Sequence, residues 1–222
     1  FLEALITPKQ GARVVQLVLS PEIAGTSSFQ IFSQPVPQNG AAQLKWTQHV
    51  SGTIRRRDAS RNGHSHSTKD LDNWRRQCAS PIDVAGFYEE LARHGLRYGP
   101  MFQGVKELWS GSGAAVGRIV APADIASQQE QLELHPALLD AAFHVLAAAL
   151  SGGSFAEGLY LPVGVRELHL KAKPGTSFWA TAEVATQGER LVADGLEGNV
   201  TLYDDDGRII ATVKGLRLKR LA

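Results

Sequence analysis

His135-Pro136-Ala137-Leu138-Leu139-Asp140-Ala141-Ala142-Phe143-His144-Val145-Leu146-Ala147-Ala148-Ala149-Leu150 is the stretch whose reading decides the fold. It predicts a helix over 134–150. Pro136 suits the first helical turn, where its missing N–H costs nothing. Gly152-Gly153 stops the helix. The segment is apolar on nearly all sides, so the helix is expected to be buried rather than to lie on a surface. Asp140 and His144 interrupt it, and it is too short to span a bilayer. Their spacing of four places both side chains on one helical face. A carboxyl among Leu, Ala, Phe and Val resists ionisation, because desolvation disfavours the charged form. A carboxyl that keeps its proton near neutral pH can serve as a general acid. In isolation such a pair more often satisfies itself or nearby backbone groups. Its neighbours in the sequence must decide.

Outward from this helix the chain is mostly β-patterned. Residues 165–171, 177–185 and 200–203 alternate or are β-rich, Asp204-Asp205-Asp206-Gly207 reads as a hairpin turn, and 208–219 returns as a last strand. On the other side, 104–120 reads as strands. Residues 83–94 read as a helix, with Val84, Phe87, Tyr88 and Leu91 at helical spacing and Gly95 placed to end it. One buried helix surrounded by antiparallel strands is an α+β arrangement in which helix and sheet each bury an apolar face. Residues 1–54 read as an antiparallel meander without a helix of their own. Residues 55–81 are polar, with little apolar periodicity, and are expected to be a linker. The predicted organisation is therefore 1–54, a linker over 55–81, and 82–222 as the half carrying Asp140.

Composition excludes several function classes. The 222 residues carry 23 Lys and Arg against 22 Asp and Glu, a formal net charge of +1, so no global field argues for nucleic acid or an anionic membrane. Cys78 is the single cysteine, which rules out an intrachain disulfide and fits a reducing, cytoplasmic setting. It is expected to be an inert surface or linker thiol. His64-Ser65-His66 lacks the Cys or carboxylate framework of a metal site and is read as solvated linker. Arg55 to Arg57 is read as a solvated strand end, with attraction of an acidic carrier protein as the other reading. The chain begins at Phe1, within apolar patterning, and reads as a piece of a longer polypeptide.

Several motifs together resemble one family. His135-Pro136, Leu139-Asp140 and His144 resemble the second-half motif of polyketide synthase dehydratases. Tyr98-Gly99-Pro100-Met101-Phe102-Gln103-Gly104 is similar to that family's Tyr-Gly-Pro-x-Phe-Gln signature. Leu161-Pro162 and the residues up to Leu170 resemble its Leu-Pro segment, residues 46–52 with His49 resemble the strand ending its first half, and 206–218 resembles its closing hairpin. The resemblance implies a double hotdog, two antiparallel sheets each wrapped round a central helix. The helix of the first hotdog is not evident here, and the chain is expected to start partway through that hotdog.

By this resemblance Asp140 is the catalytic acid, and His144 orients it or contacts the substrate hydroxyl. Tyr98 hydrogen-bonds nearby, Gly99 and Pro100 shape a turn close to the thioester, and Phe102, Gln103, Leu161 and Pro162 belong to the substrate-binding wall. The implied reaction removes water from a 3-hydroxyacyl thioester. It needs no metal or redox cofactor, since the substrate arrives on the phosphopantetheine of an acyl carrier protein. Implied partners are that carrier protein, the other domains of a synthase module and, through the modular context, a homodimer; nucleic acid and membrane are not implied. The family's base is a histidine in a His-x-x-x-Gly-x-x-x-x-Pro motif, which this sequence does not contain: His49 has Gly52 three residues on, not four. Two other outcomes stay open. One keeps the fold but isomerises a double bond or closes a pyran ring. The other is a non-catalytic scaffold that binds carrier protein.

Overall fold

The computed structural model describes residues 2–6, 8, 11–36, 45–55, 69–129, 131–151, 160–185 and 195–220. The chain divides into two compact units between His64 and Ser65.

The first unit is a three-stranded antiparallel sheet in the order β1-β2-β3, formed by Arg13–Leu19, Thr26–Pro35 and Thr47–Arg55. This is the expected meander. Val14, Val15, Leu17, Val18 and Leu19 are all exposed, so β1 shows apolar side chains on both faces. Among its described residues this unit has no helix of its own. The buried polar pair here is Ser33 and His49. His49 Nδ1 lies 2.9 Å from the Glu3 carbonyl oxygen and must donate to it. Its Nε2 then accepts from the Ser33 hydroxyl at 2.7 Å. Arg13 Nε in turn donates to Ser33 Oγ at 3.0 Å. His49 is thus a satisfied structural histidine, with both ring nitrogens engaged.

The second unit is a seven-stranded antiparallel sheet in the order β4-β5-β6-β8-β9-β10-β7. Its strands are β4 (Ser80–Pro81), β5 (Val105–Gly111), β6 (Ala114–Val120), β7 (Tyr160–Leu170), β8 (Ser177–Val184), β9 (Gly195–Tyr203) and β10 (Ile209–Arg220). Among the described residues four α-helices accompany it: α1 (Lys69–Gln77), α2 (Val84–Arg93), α3 (Ala123–Gln129) and α4 (Pro136–Ser151). Strand alternation builds the core. On β8, Phe178, Ala180 and Ala182 are buried in one cluster with Leu138, Val145 and Leu146 of α4. Trp179, one residue out of phase, belongs to a second cluster with Leu71, Cys78, Val116 and Tyr203. So α4 occupies one face of the curved sheet and α1 covers part of the other.

Close approach of α4 depends on glycines in the strands. A Cβ on Gly198 would lie 2.6 Å from Leu146 Cδ1 and 2.7 Å from the Glu183 carbonyl oxygen. One on Gly117 would lie 2.9 Å from Val145 Cγ2. On β10, the register with β9 shifts between Val213 and Leu216. Gly215, at φ +63°, supplies the left-handed residue that this bulge requires, and its N–H donates to Asn199 Oδ1 at 3.0 Å. The bulge switches strand parity, so Ala211 and Val213 before it and Leu216 and Leu218 after it all reach the core.

The expected helices at 83–94 and 134–150 are present as α2 and α4. The linker expected over 55–81 is corrected in its second part, where α1 and β4 form. Leu71 and Trp74 pack there with Cys78, a stripe of three too sparse to stand out from its polar surroundings. Cys78 is also corrected: it is buried, 1% exposed, rather than on the surface. That burial pushes its thiol pKa up, which opposes thiolate reactivity. Residues 56–68, with Arg56, Arg57, His64 and His66, lie outside the described residues. No described helix is long and apolar enough to cross a membrane.

Candidate active site

The site grows from the first turn of α4. His135 stands directly before Pro136, and its Nδ1 accepts from the Ala137 N–H at 3.1 Å, so an imidazole caps this helix. The capping nitrogen has no proton, which places the proton on Nε2, facing Gln128 Oε1 at 3.5 Å. Gln129, almost fully buried, bridges the same corner. Its Oε1 accepts from the His135 N–H at 2.9 Å, and its Nε2 donates to the Pro174 carbonyl oxygen at 3.0 Å. The start of α4 is thus pinned to α3 and to the loop before β8. That fixes the rotation of the helix and with it the direction of Asp140.

Burial along α4 is not uniform. Ala141, Ala142, Val145, Leu146 and Ala148 are buried, whereas Leu139, Asp140, Phe143, Ala147 and Leu150 are only half-buried. The second set recurs at helical spacing and forms one stripe. The expectation of a helix enclosed on nearly all sides is corrected accordingly: α4 keeps one partly open face, and Asp140 lies in it. The Asp140 side chain is 32% exposed, against 5% for His144.

His144 collects the site around its ring. Its Nε2 lies 3.2 Å from Asp140 Oδ2. The approach is not aligned for a hydrogen bond, and Nε2 is the one buried side-chain nitrogen or oxygen among the described residues without a hydrogen-bond partner. Its Nδ1 lies 3.3 Å from the Tyr88 hydroxyl, which also accepts from the Val105 N–H at 3.3 Å. The Tyr98 ring tilts against the imidazole at a centroid distance of 4.3 Å, and Tyr88 meets it edge-on at 5.7 Å. Burial first and the Asp140 charge second push the Tyr98 hydroxyl pKa up to about 12. Burial likewise pushes Tyr88 well above its ordinary value, outweighing the opposing Val105 hydrogen bond. Both phenols are therefore neutral donors at physiological pH.

The structure brings Tyr98, Asp140 and His144 together. Gly99 opens a single 3-10 turn over Pro100–Phe102, which packs beside α4. Phe102 is 42% exposed, so it is not core. Gln103 turns inward on its own loop: its Nε2 donates to the Tyr98 carbonyl oxygen at 2.8 Å. It braces the turn that presents Tyr98. Leu161 and Pro162 begin β7, an edge strand, where they pair with Lys219 and Leu218 of β10. A proline is tolerated there because an edge strand leaves its N–H side unpaired. Tyr88 was missed as a site residue, because helical spacing marks it only as a core position of α2. Its hydroxyl was the available signal, since a buried phenol needs a hydrogen-bond partner. A separate cleft of about 540 Å³ is lined by Arg75, Cys78, Trp109 and Trp179, and Arg75 stacks on the Trp179 ring at 4.1 Å. Asp140 and His144 are not among its lining residues.

An antiparallel sheet packed along one long, mostly buried helix is the hotdog class of fold. The family model described as "Polyketide synthase dehydratase N-terminal domain" matches residues 66–222. The chain is 38% identical over 156 residues to the spectinabilin polyketide synthase system protein NorA of Streptomyces orinoci, covering 70% of this chain and 8% of that one. It is 35% identical over 146 residues to the pikromycin polyketide synthase component PikAII of Streptomyces venezuelae, covering 65% of this chain and 4% of that one. It thus spans a small fraction of these relatives. Among solved structures, the dehydratase domain from the CurK module of curacin polyketide synthase superposes with a TM-score of 0.81 at 32% identity, covering 98% of this chain and 71% of that one. Two inactive variants of that domain, one with histidine replaced by phenylalanine and one with aspartate replaced by asparagine, superpose equally well. The chain belongs to the polyketide synthase dehydratase family.

Proposed function

We propose that this chain supplies the acid half of a lyase that removes water from a 3-hydroxyacyl group carried on the phosphopantetheine of an acyl carrier protein. The observation that carries this reading is Asp140, half-open on the apolar stripe of α4 and flanked by His144. A base takes the α-proton, and the electron pair of that C–H bond becomes the new C=C bond. The C3–O bond breaks as Asp140 gives its proton to the departing hydroxyl, which leaves as water. The product is a 2,3-unsaturated thioester, and the elimination needs no electron acceptor. The family's base is the histidine of a His-x-x-x-Gly-x-x-x-x-Pro motif, which these 222 residues do not contain. An acyl chain suits the stripe formed by Leu139, Phe143, Ala147 and Leu150, whose side chains give the helix an apolar, partly open face.

The inactive histidine and aspartate variants of the CurK dehydratase support an acid–base pair of these two residue types. Retention of an aspartate at 140 favours dehydration over isomerisation alone. The test is mass spectrometry of a 3-hydroxyacyl carrier protein incubated with the synthase module that contains this chain. Loss of one water is expected, abolished by Asp140→Asn. An Asp140→Asn variant that dehydrates as fast as the parent overturns the acid assignment. No mass change by the parent, with either hydroxyl configuration and several acyl lengths, overturns the reaction.

A further inference from the structure

We infer that Tyr88 is a positioning residue: its hydroxyl donates to His144 Nδ1, fixing the imidazole in the tautomer that carries its proton on Nε2, beside Asp140. The role in catalysis rests on the proposed dehydration, whereas the tautomer itself does not. A phenol oxygen has one proton to give and two lone pairs. The Val105 N–H occupies one lone pair of Tyr88. The contact with His144 Nδ1, at 3.3 Å, can then run in either direction. If Nδ1–H donated, the buried Tyr88 proton would be left without its Nδ1 acceptor, a costly state for a phenol that is only 9% exposed. When Asp140 is ionised, a bare Nε2 lone pair would also face its carboxylate at 3.2 Å. If Tyr88 donates, both faults disappear: its proton has an acceptor, and Nε2 turns a proton toward the site. The raised Tyr88 pKa keeps that proton in place.

The arrangement explains why α2 bears on the chemistry at all. Asp83 caps α2 by accepting from the Ala85 and Gly86 N–H groups, and Phe87 and Leu91 bury its inner face. Tyr88 is carried on that rigid helix and anchored again by β5 through Val105. His144 therefore receives its protonation pattern from two elements other than its own.

The test reads the tautomer directly. Long-range ¹H–¹⁵N correlation spectra of the 222-residue chain, with His144 assigned through His144→Gln, distinguish the protonated ring nitrogen from the bare one. The expected result is Nε2–H in the parent, converted to a tautomer mixture by Tyr88→Phe, which keeps the aromatic ring and loses only the hydroxyl. An unchanged backbone amide spectrum shows that the variant is folded. Tyr98→Phe, which leaves the Nδ1 contact intact, should keep Nε2–H. An Nδ1–H tautomer in the parent, with Nε2 free to accept the Asp140 proton, overturns the inference. So does an Nε2–H pattern that Tyr88→Phe leaves untouched. In the synthase module, Tyr88→Phe should lower kcat roughly tenfold at unchanged KM, because the hydroxyl orients His144. A rise in KM with kcat preserved would instead show direct substrate binding and overturn the positioning role. If the parent dehydrates nothing while the tautomer responds as expected, the proposed reaction fails and the Tyr88 contact stands.

Discussion

Tyr98 is the residue at which burial and charge push in the same direction. Its neutral form is favoured by desolvation and by the nearby Asp140 carboxylate, which moves its pKa from 10.0 up to about 12. Between those values the unfolded chain has lost the phenolic proton and the folded chain still holds it. Stability therefore falls as pH rises through that window and is fully present below it. Urea denaturation from pH 9 to 12 should show this alkaline loss, and Tyr98→Phe should make it shallower. An unchanged slope would mean that Tyr98 is not held neutral by the site. Asp140 and His144 stood out in the sequence because they interrupt an otherwise apolar helix four residues apart, and the motifs around them decided how the pair was read. Tyr98 was legible only through its motif. Tyr88 was not, since periodicity scores an aromatic ring by its apolar body and ignores the hydroxyl. Motif membership likewise does not reveal that the Gln103 amide donates to the Tyr98 carbonyl.

At the scale of elements, the site depends on how closely α4 lies on its sheet. Gly198 is the tightest contact, because an added Cβ would meet both the Leu146 side chain and the Glu183 backbone oxygen. The Leu146 side chain can rotate, but the β8 backbone that carries the Glu183 carbonyl cannot move without disturbing its ladder. Gly198→Ala should therefore destabilise by about 1–3 kcal/mol, the range for overpacked cores. Gly175→Ala is the control, since its Cβ would come no nearer than 3.9 Å to the Ser177 backbone. It should stay within about 0.5 kcal/mol. Thermal melts followed by circular dichroism compare the two, and equal melting temperatures would refute the close-packing account. Strands and the two longer helices of the second unit could be read from pattern, because each has enough apolar positions to show its period. The shorter α1 and α3 could not. α1 buries Leu71 among charged neighbours, and α3 contributes Ile125 and the polar Gln129 to the interior, so neither carries a sustained stripe. The β10 bulge was also invisible, since a one-residue parity shift hides inside an apolar run.

At the scale of the whole chain, the two units differ in how much they can bury by themselves. Unit 2 packs α4 against a seven-stranded sheet and has one extensive apolar core. Unit 1 has three strands, a buried Ser33–His49 pair, and a first strand whose Val and Leu side chains are exposed. Three strands without a covered apolar face fall near the limit of independent stability. Residues 65–222, expressed alone, should therefore unfold in a single cooperative urea transition. Residues 1–64 alone should show no cooperative transition and should bind a hydrophobic dye, because their apolar β1 side chains have no partner of their own. The dye and denaturation measurements separate two accounts of β1. If 1–64 unfolds cooperatively and leaves the dye unbound, its exposed valines and leucines are ordinary surface. If it behaves as expected, that apolar strand is a face made to be covered, and unit 1 draws its stability from contacts beyond its own three strands.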